Sequence, residues 1–221
     1  VGYGLVMAVI WTPRPWQRLL YWAPVFWIGA VSWRSFRGWR ATGWRGVNLV
    51  RSSWVVGVAL GMAALAVLAA LHFGTLHAPD GAVAFFRTYI GYAIWSFVQQ
   101  FILADFFLWR LMRLLPARYA VAATAVIFAV AHLPNPVLPP MTLVWGAAAC
   151  LIFLRYRNLW SMGLAHAIFG ITIALTIPGH VTHNMRVGVG YLQYRQHHRR
   201  NNDQRVSTAA WVRAEAATRR S

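Results

Sequence analysis

Five polar side chains stand inside otherwise apolar sequence. They are Gln99, Gln100 and Asp105 in WSFVQQFILADFF, His132 in VIFAVAHLPNP, and His166 in NLWSMGLAHAIFG. Strongly polar groups are costly in hydrocarbon and by default mark function. The two histidines offer acid–base or oxyanion chemistry. The paired amides can orient a water or a carbonyl, but an amide cannot take a proton. Each residue also has a plainer reading: His132 as a polar helix end ahead of Pro134, His166 and the Gln pair as hydrogen bonds between helices. On an ideal helix Asp105 lies about 140° around from Gln100 and about 120° from Gln99. It is therefore expected to face away from them, as an interfacial acid paired with an arginine, with a catalytic part as the alternative. Catalytic zinc usually takes three protein ligands, and only His132 and His166 are good donors here. No metal and no other cofactor is expected; a metal, if bound, falls to those two. His180 and His183 lie beyond the last apolar run, and His197 and His198 in a basic tail. Cys150 reads as a small buried apolar residue, with no base spaced to activate it on its own helix.

The elements that must position these residues are membrane helices. The chain has 221 residues, 59% hydrophobic and 11% charged, with a mean hydropathy of +0.48. A soluble domain carries about 25% charged residues, so too few exist here to cover a water-facing surface. Thirteen tryptophans suit an interfacial aromatic belt. Arg, Asp and Glu are absent from 52–79, 88–104, 119–154 and 158–185. The third run is too long for one span of about 20 residues, and PNPVLPP at 134–140 breaks it into a helical hairpin. The expected fold is an all-α polytopic bundle of about six spans: 16–33, 54–74, 88–109, 119–133, 141–155 and 159–177. The count becomes seven or eight if an N-terminal stub and a re-entrant C-terminal segment also enter the membrane. The first dozen residues read as an interfacial helix or the stub of a span, not as a signal peptide, because no basic region precedes them. Residues 1–195 form the transmembrane domain, and 196–221 a basic, disordered tail.

All 21 basic residues are arginine, against four acids, for a net charge of +17. No nucleic-acid module accompanies that charge, so anionic headgroups of the lipid bilayer are the expected partner rather than nucleic acid. Arginines crowd loops 34–51, 110–118 and 155–157, whereas the proline hairpin has none. The positive-inside rule puts those loops in the cytoplasm and the hairpin outside. The tail breaks this scheme: by parity it emerges outside, yet it holds eight arginines from Arg186 onward. Either a re-entrant segment around 178–194 brings it back, or the sixth span does not fully cross. Gly57 and Gly61 make a G-x-x-x-G, which favours close helix contact, inside the bundle or across a homodimer.

The order of motifs resembles the CPBP intramembrane peptidases, also called the Abi or CAAX-protease family. Their pattern is E-E-x-x-x-R, then F-x-x-x-H, then H-x-x-x-N or D, on successive core helices. Phe128 and His132 fit the second motif and His166 opens the third, over a core of about 88–177. The resemblance implies a helical membrane bundle in the bacterial cytoplasmic membrane. It implies endopeptidase activity on membrane-associated peptides or lipidated proteins, and a site of Gln99, Gln100, His132 and His166. Phe128 and Asp105 are secondary candidates. The chain departs from the pattern at three places: the glutamate pair is Gln99–Gln100, the arginine is Ala104, and the closing Asn or Asp is Gly170. In the family the glutamate is thought to activate water with histidine assistance. Three readings follow: a peptidase with a substituted base, a His-based enzyme, or a catalytically silent protein that binds a lipid-linked or peptide partner, immunity- or scaffold-like, in the same cavity.

Overall fold

The computed structural model describes residues 1–35, 42–44, 48–79, 81–198, 200 and 204. Helices α1 (Gly2–Trp11), α2 (Trp16–Leu20) and α3 (Trp22–Arg34) form an N-terminal unit. They are followed by α4 (Leu49–Phe73), α5 (Ala82–Leu111), α6 (Ala117–Val130), α7 (Leu138–Tyr156) and α8 (Leu159–Thr176). A short α9 (Gly179–Thr182) and a last helix α10 over 188–198 complete the described chain. The architecture is a polytopic helical membrane bundle. Backbone polar groups in hydrocarbon must be satisfied within the segment, which leaves helix as the solution for apolar runs like these.

Four helices, α4, α5, α7 and α8, are long and apolar enough to cross a membrane. The span expected at 119–133 is a 14-residue helix, about 21 Å long against a hydrocarbon core of about 30 Å. Pro116 stands at its start, and Pro134 follows the turn that ends it. The span expected at 16–33 is divided at Tyr21. Pro24 has no N–H to give the Leu20 carbonyl, so the helical ladder is interrupted there.

Helices α4 and α8 run parallel and are joined at both ends. Asn48 Nδ2 donates to the Tyr156 carbonyl (3.1 Å) at one end, and Thr75 Oγ1 to the Thr176 carbonyl (2.9 Å) at the other. Between them Ser52 and Ser161 share a buried hydroxyl–hydroxyl bond of 2.7 Å. Helix α5 packs antiparallel on α8 by pressing Phe97 against Gly163 and Tyr92 against Gly170. Helices α6 and α7 close as an antiparallel hairpin over Gly146, where an added Cβ would stand 3.2 Å from the Phe128 ring. Gly57 and Gly61, by contrast, face open space on the outside of α4. They take no part in packing within the bundle.

The C-terminal segment stays at the proline-hairpin end. Asn135, fully buried, donates through Nδ2 to the Thr182 carbonyl (2.8 Å) and the Arg186 carbonyl (3.0 Å). Its Oδ1 accepts from Val137 N and Leu138 N, at 2.9 and 3.1 Å, and so caps α7. The two donor bonds bracket a turn, 183–185, in which three consecutive non-glycine residues have positive φ. Gly188 N adds a bond to the Leu133 carbonyl (2.8 Å). Tyr191 and Tyr194 pack on His183. Neither sequence alternative for the tail holds over these residues: α8 runs its full length, and 178–194 does not lead back to the arginine-loop end. The expected tail, 196–221, lies outside the described residues except for 196–198, 200 and 204.

Two expected outcomes arise here. Asn135→Ala removes one side chain and leaves two amides and two carbonyls without that partner, at about 1–3 kcal/mol for each group left unsatisfied. The variant should lose about 3 kcal/mol or more of stability, read as a lower melting temperature in detergent; an unchanged melt would remove the clamp. Topology is read by labelling in a Cys150→Ala background: Leu115→Cys should react only from the cytoplasmic side and Val137→Cys from outside. The reverse pattern inverts the orientation.

Candidate intramembrane site

The polar residues of α5 lie on one stripe. Tyr92, Ser96 and Gln100 are spaced by four, so they share the face that meets α8. Gln100 is 1% exposed and His166 is 6% exposed. Gln100 Nε2 donates to His166 Nδ1 at 3.0 Å. A neutral imidazole carries one N–H, so this bond leaves the proton of His166 on Nε2. His166 thus offers a donor, not a lone pair, to whatever lies beyond it.

His132 has the opposite tautomer. Its Nδ1 lies 2.7 Å from the Phe128 carbonyl one turn earlier, to which it donates. A carbonyl can only accept, so Nε2 of His132 keeps its lone pair. Phe128 packs against both histidines: its ring centroid is 4.9 Å from His132 and 5.9 Å from His166. The imidazoles are therefore within about 11 Å of each other.

Gln99 points elsewhere. With Phe128 and His132 it lines a cavity of about 780 Å³ between α5, α6 and the N-terminal unit. The Gln pair is thus divided: Gln100 belongs to the buried pair with His166, Gln99 to the cavity wall with His132. Asp105 joins neither. It lies on a π-helical stretch of α5, Ile102–Leu108, where the wider turn alters the angular spacing assumed for an ideal helix. Arg157 and Arg110 lie near enough to act on Asp105 electrostatically, but among the described residues no arginine hydrogen-bonds its carboxyl group. Arg110 donates to the carbonyls of Asp105 (3.2 Å) and Phe106 (3.0 Å), and to Ser35 Oγ (2.9 Å). The carboxylate Oδ2 is buried without a hydrogen-bond partner. The guanidinium reaches the nearer helix-end carbonyls, which a donor late in a helix satisfies readily.

Two residues of the site escaped sequence reasoning. The Tyr92 hydroxyl occupies the space where a Cβ at Gly170 would stand. A phenol from α5 therefore fills the position at which the family pattern has Asn or Asp. The i, i+4, i+8 spacing of Tyr92, Ser96 and Gln100 was the available signal. The second is Trp145 on α7, whose ring centroid lies 6.0 Å from His166. Its indole Nε1 is buried without a hydrogen-bond partner among the described residues, an exception that native structures rarely leave unexplained. One tryptophan among thirteen carried no such signal. Among the described residues, no three His, Cys, Asp or Glu side chains cluster as a metal would need. Cys150 is fully buried.

Apolar helices, interhelical hydrogen bonds and a buried histidine–amide pair define an integral membrane protein with a polar site inside its helical bundle. Residues 98–172 match the family model described as Type II CAAX prenyl endopeptidase Rce1-like. That segment runs from Val98 through both histidines to Thr172 and bears out the resemblance to the CPBP intramembrane peptidases. Over that segment, about a third of the chain, the protein is similar to a family of CAAX-protease-like hydrolases. Comparison with curated proteins and with solved structures finds no match.

Proposed function

We propose that the chain is an intramembrane endopeptidase acting on membrane-associated peptides or lipidated proteins in the bacterial cytoplasmic membrane, with His132 in the role of the missing glutamate. The observation that carries this reading is the complementary tautomer pair: a lone pair on His132 Nε2 and an N–H on His166 Nε2, both histidines packed on one phenyl ring. A peptide carbonyl lying over Phe128 would meet both. His132 Nε2 takes a proton from a water oriented by Gln99 as that water attacks the carbonyl carbon. His166 Nε2–H and the unpartnered Trp145 Nε1–H donate to the developing oxyanion, the place where fixed donors contribute most. His132 then returns its proton to the leaving amine as the C–N bond breaks. Gln100 acts through His166, holding its tautomer. Asp105 takes no part.

The test is cleavage of a membrane-tethered peptide by the purified protein in lipid. His132→Ala and His166→Ala should each abolish turnover. Trp145→Phe, which keeps an aromatic ring but loses the N–H, should reduce it by about ten- to a hundredfold without unfolding the protein. The silent-binder reading draws on one observation: the buried residue beside His166 is an amide, and Ala104, 2% exposed, supplies no cation. Wild-type protein that is stabilised by peptide but never cleaves it would establish that reading instead.

A further inference from the structure

The cavity bordered by Gln99 and His132 also has a basic part to its lining. Its body is apolar, walled by Val6, Val25, Ile28 and Trp95 among others, but its rim carries Arg14, Gln17 and Arg18. Both arginines are exposed, and none of the described residues that line the cavity is acidic. Gln17 uses its amide to hold the Val9 carbonyl at 3.0 Å, fixing α2 against the end of α1. Trp16, Tyr21 and Trp22, all more than two-fifths exposed, accompany the two arginines on the same short stretch. Exposed Trp and Tyr of this kind mark the headgroup level of a bilayer. An apolar slot that opens at headgroup level beneath two exposed guanidinium groups is complementary to one class of molecule, an amphiphile with a phosphate head. Guanidinium groups pair with phosphate oxygens in bidentate fashion, and basic pockets between membrane helices take anionic lipid heads. The volume lies within the range of ligand cavities.

We infer that this cavity is a binding site for an anionic phospholipid of the surrounding bilayer, with the phosphate on Arg14 and Arg18 and an acyl chain between α1, α3 and α5. The inference does not rest on the proposed peptidase activity, and its test reads binding alone. Full-length protein in zwitterionic detergent is titrated with phosphatidylglycerol, phosphatidylcholine or inorganic phosphate. Melting temperature and lipid retained in native mass spectra are followed. Phosphatidylglycerol should raise the melting temperature saturably and remain bound, whereas phosphatidylcholine and phosphate should do neither. Arg14→Gln/Arg18→Gln should weaken phosphatidylglycerol binding at least tenfold. Gly29→Leu provides a second, independent arm. Gly29 lines the cavity at a position where an added Cβ meets nothing within 4 Å, so a leucine has room at its first side-chain atom. It should weaken phosphatidylglycerol binding while leaving the lipid-free melt unchanged. Equal retention of the two lipids, or undiminished phosphatidylglycerol binding by both variants, would overturn the assignment. Stabilisation by inorganic phosphate alone would overturn the lipid and leave a simple anion site.

Discussion

Gln100→Glu should raise peptide turnover by about tenfold or more while lowering the melting temperature, and His166→Ala should abolish turnover in either background. The gain follows from the Gln100–His166 bond at 3.0 Å. An amide at position 100 donates to Nδ1 and holds the proton of His166 on Nε2. A carboxylate there can only accept, so it draws the proton to Nδ1 and frees Nε2 as a lone pair. His166 changes from oxyanion donor to base, and Trp145 Nε1–H alone is left to donate to the oxyanion. The expected net gain is what the added base contributes beyond that lost donor. General-base assistance typically contributes about 10²–10⁴-fold, and His132 already supplies part of it in the reading above. The loss of stability follows from burial: position 100 is 1% exposed and the neighbouring turn offers Ala104 where the family has arginine. A buried carboxylate without a cation costs several kcal/mol. The two effects have opposite signs and separate readouts, cleavage and melting. A cavity that only binds would show the second effect without the first. No cleavage by wild type or by Gln100→Glu, in protein that melts cooperatively, would falsify the peptidase reading.

Gly170→Asn, which restores the family residue, should be among the most damaging single changes in the chain. The Tyr92 hydroxyl stands where the new Cβ must go, and Tyr92 belongs to the helix that packs directly on α8. Overpacking a closed contact typically costs about 1–3 kcal/mol and occasionally more. The backbone-bound Cβ cannot turn aside, so a value at or above the top of that range is expected. Tyr92→Ala removes the obstruction. The double variant Gly170→Asn/Tyr92→Ala should therefore be more stable than the sum of its single effects allows, by about 1 kcal/mol or more of coupling. Melting temperatures of the four proteins of the cycle in one detergent measure this. Strict additivity would mean that the two positions do not contend for the same space.

Much of the architecture was legible because its causes are local. Apolar runs without arginine or acid marked the helices, since hydrocarbon admits little else. The prolines of 134–140 placed the hairpin between α6 and α7. The order Gln–Gln, Phe128–His132, His166 located the site on successive helices. Even so, a local reading placed α6 at 119–133, whereas the helix is Ala117–Val130, because the chain leaves the helix before Pro134 and is then held by Asn135. It also left 16–33 undivided, where the structure breaks it at Tyr21, because one missing N–H at Pro24 weighs little in a hydropathy window.

What the sequence determined by itself was therefore that the protein lives in a membrane, where its helices begin and break, and which helices carry polar residues. Which of those residues meet was decided by tertiary structure alone. Gln99 and Gln100 are adjacent in sequence, yet a rotation of about 100° per residue sends one to the cavity and the other to His166. The glycines at 163 and 170 let α5 close on α8 until Phe97 and Tyr92 fill their places. That close approach puts a phenol at the site of a missing side chain. The pairing of α6 with α7 brings an unpartnered indole N–H of Trp145 near His166. Composition and spacing record what each residue is; helix rotation and the distance between helices, set by small residues elsewhere, record what each one touches.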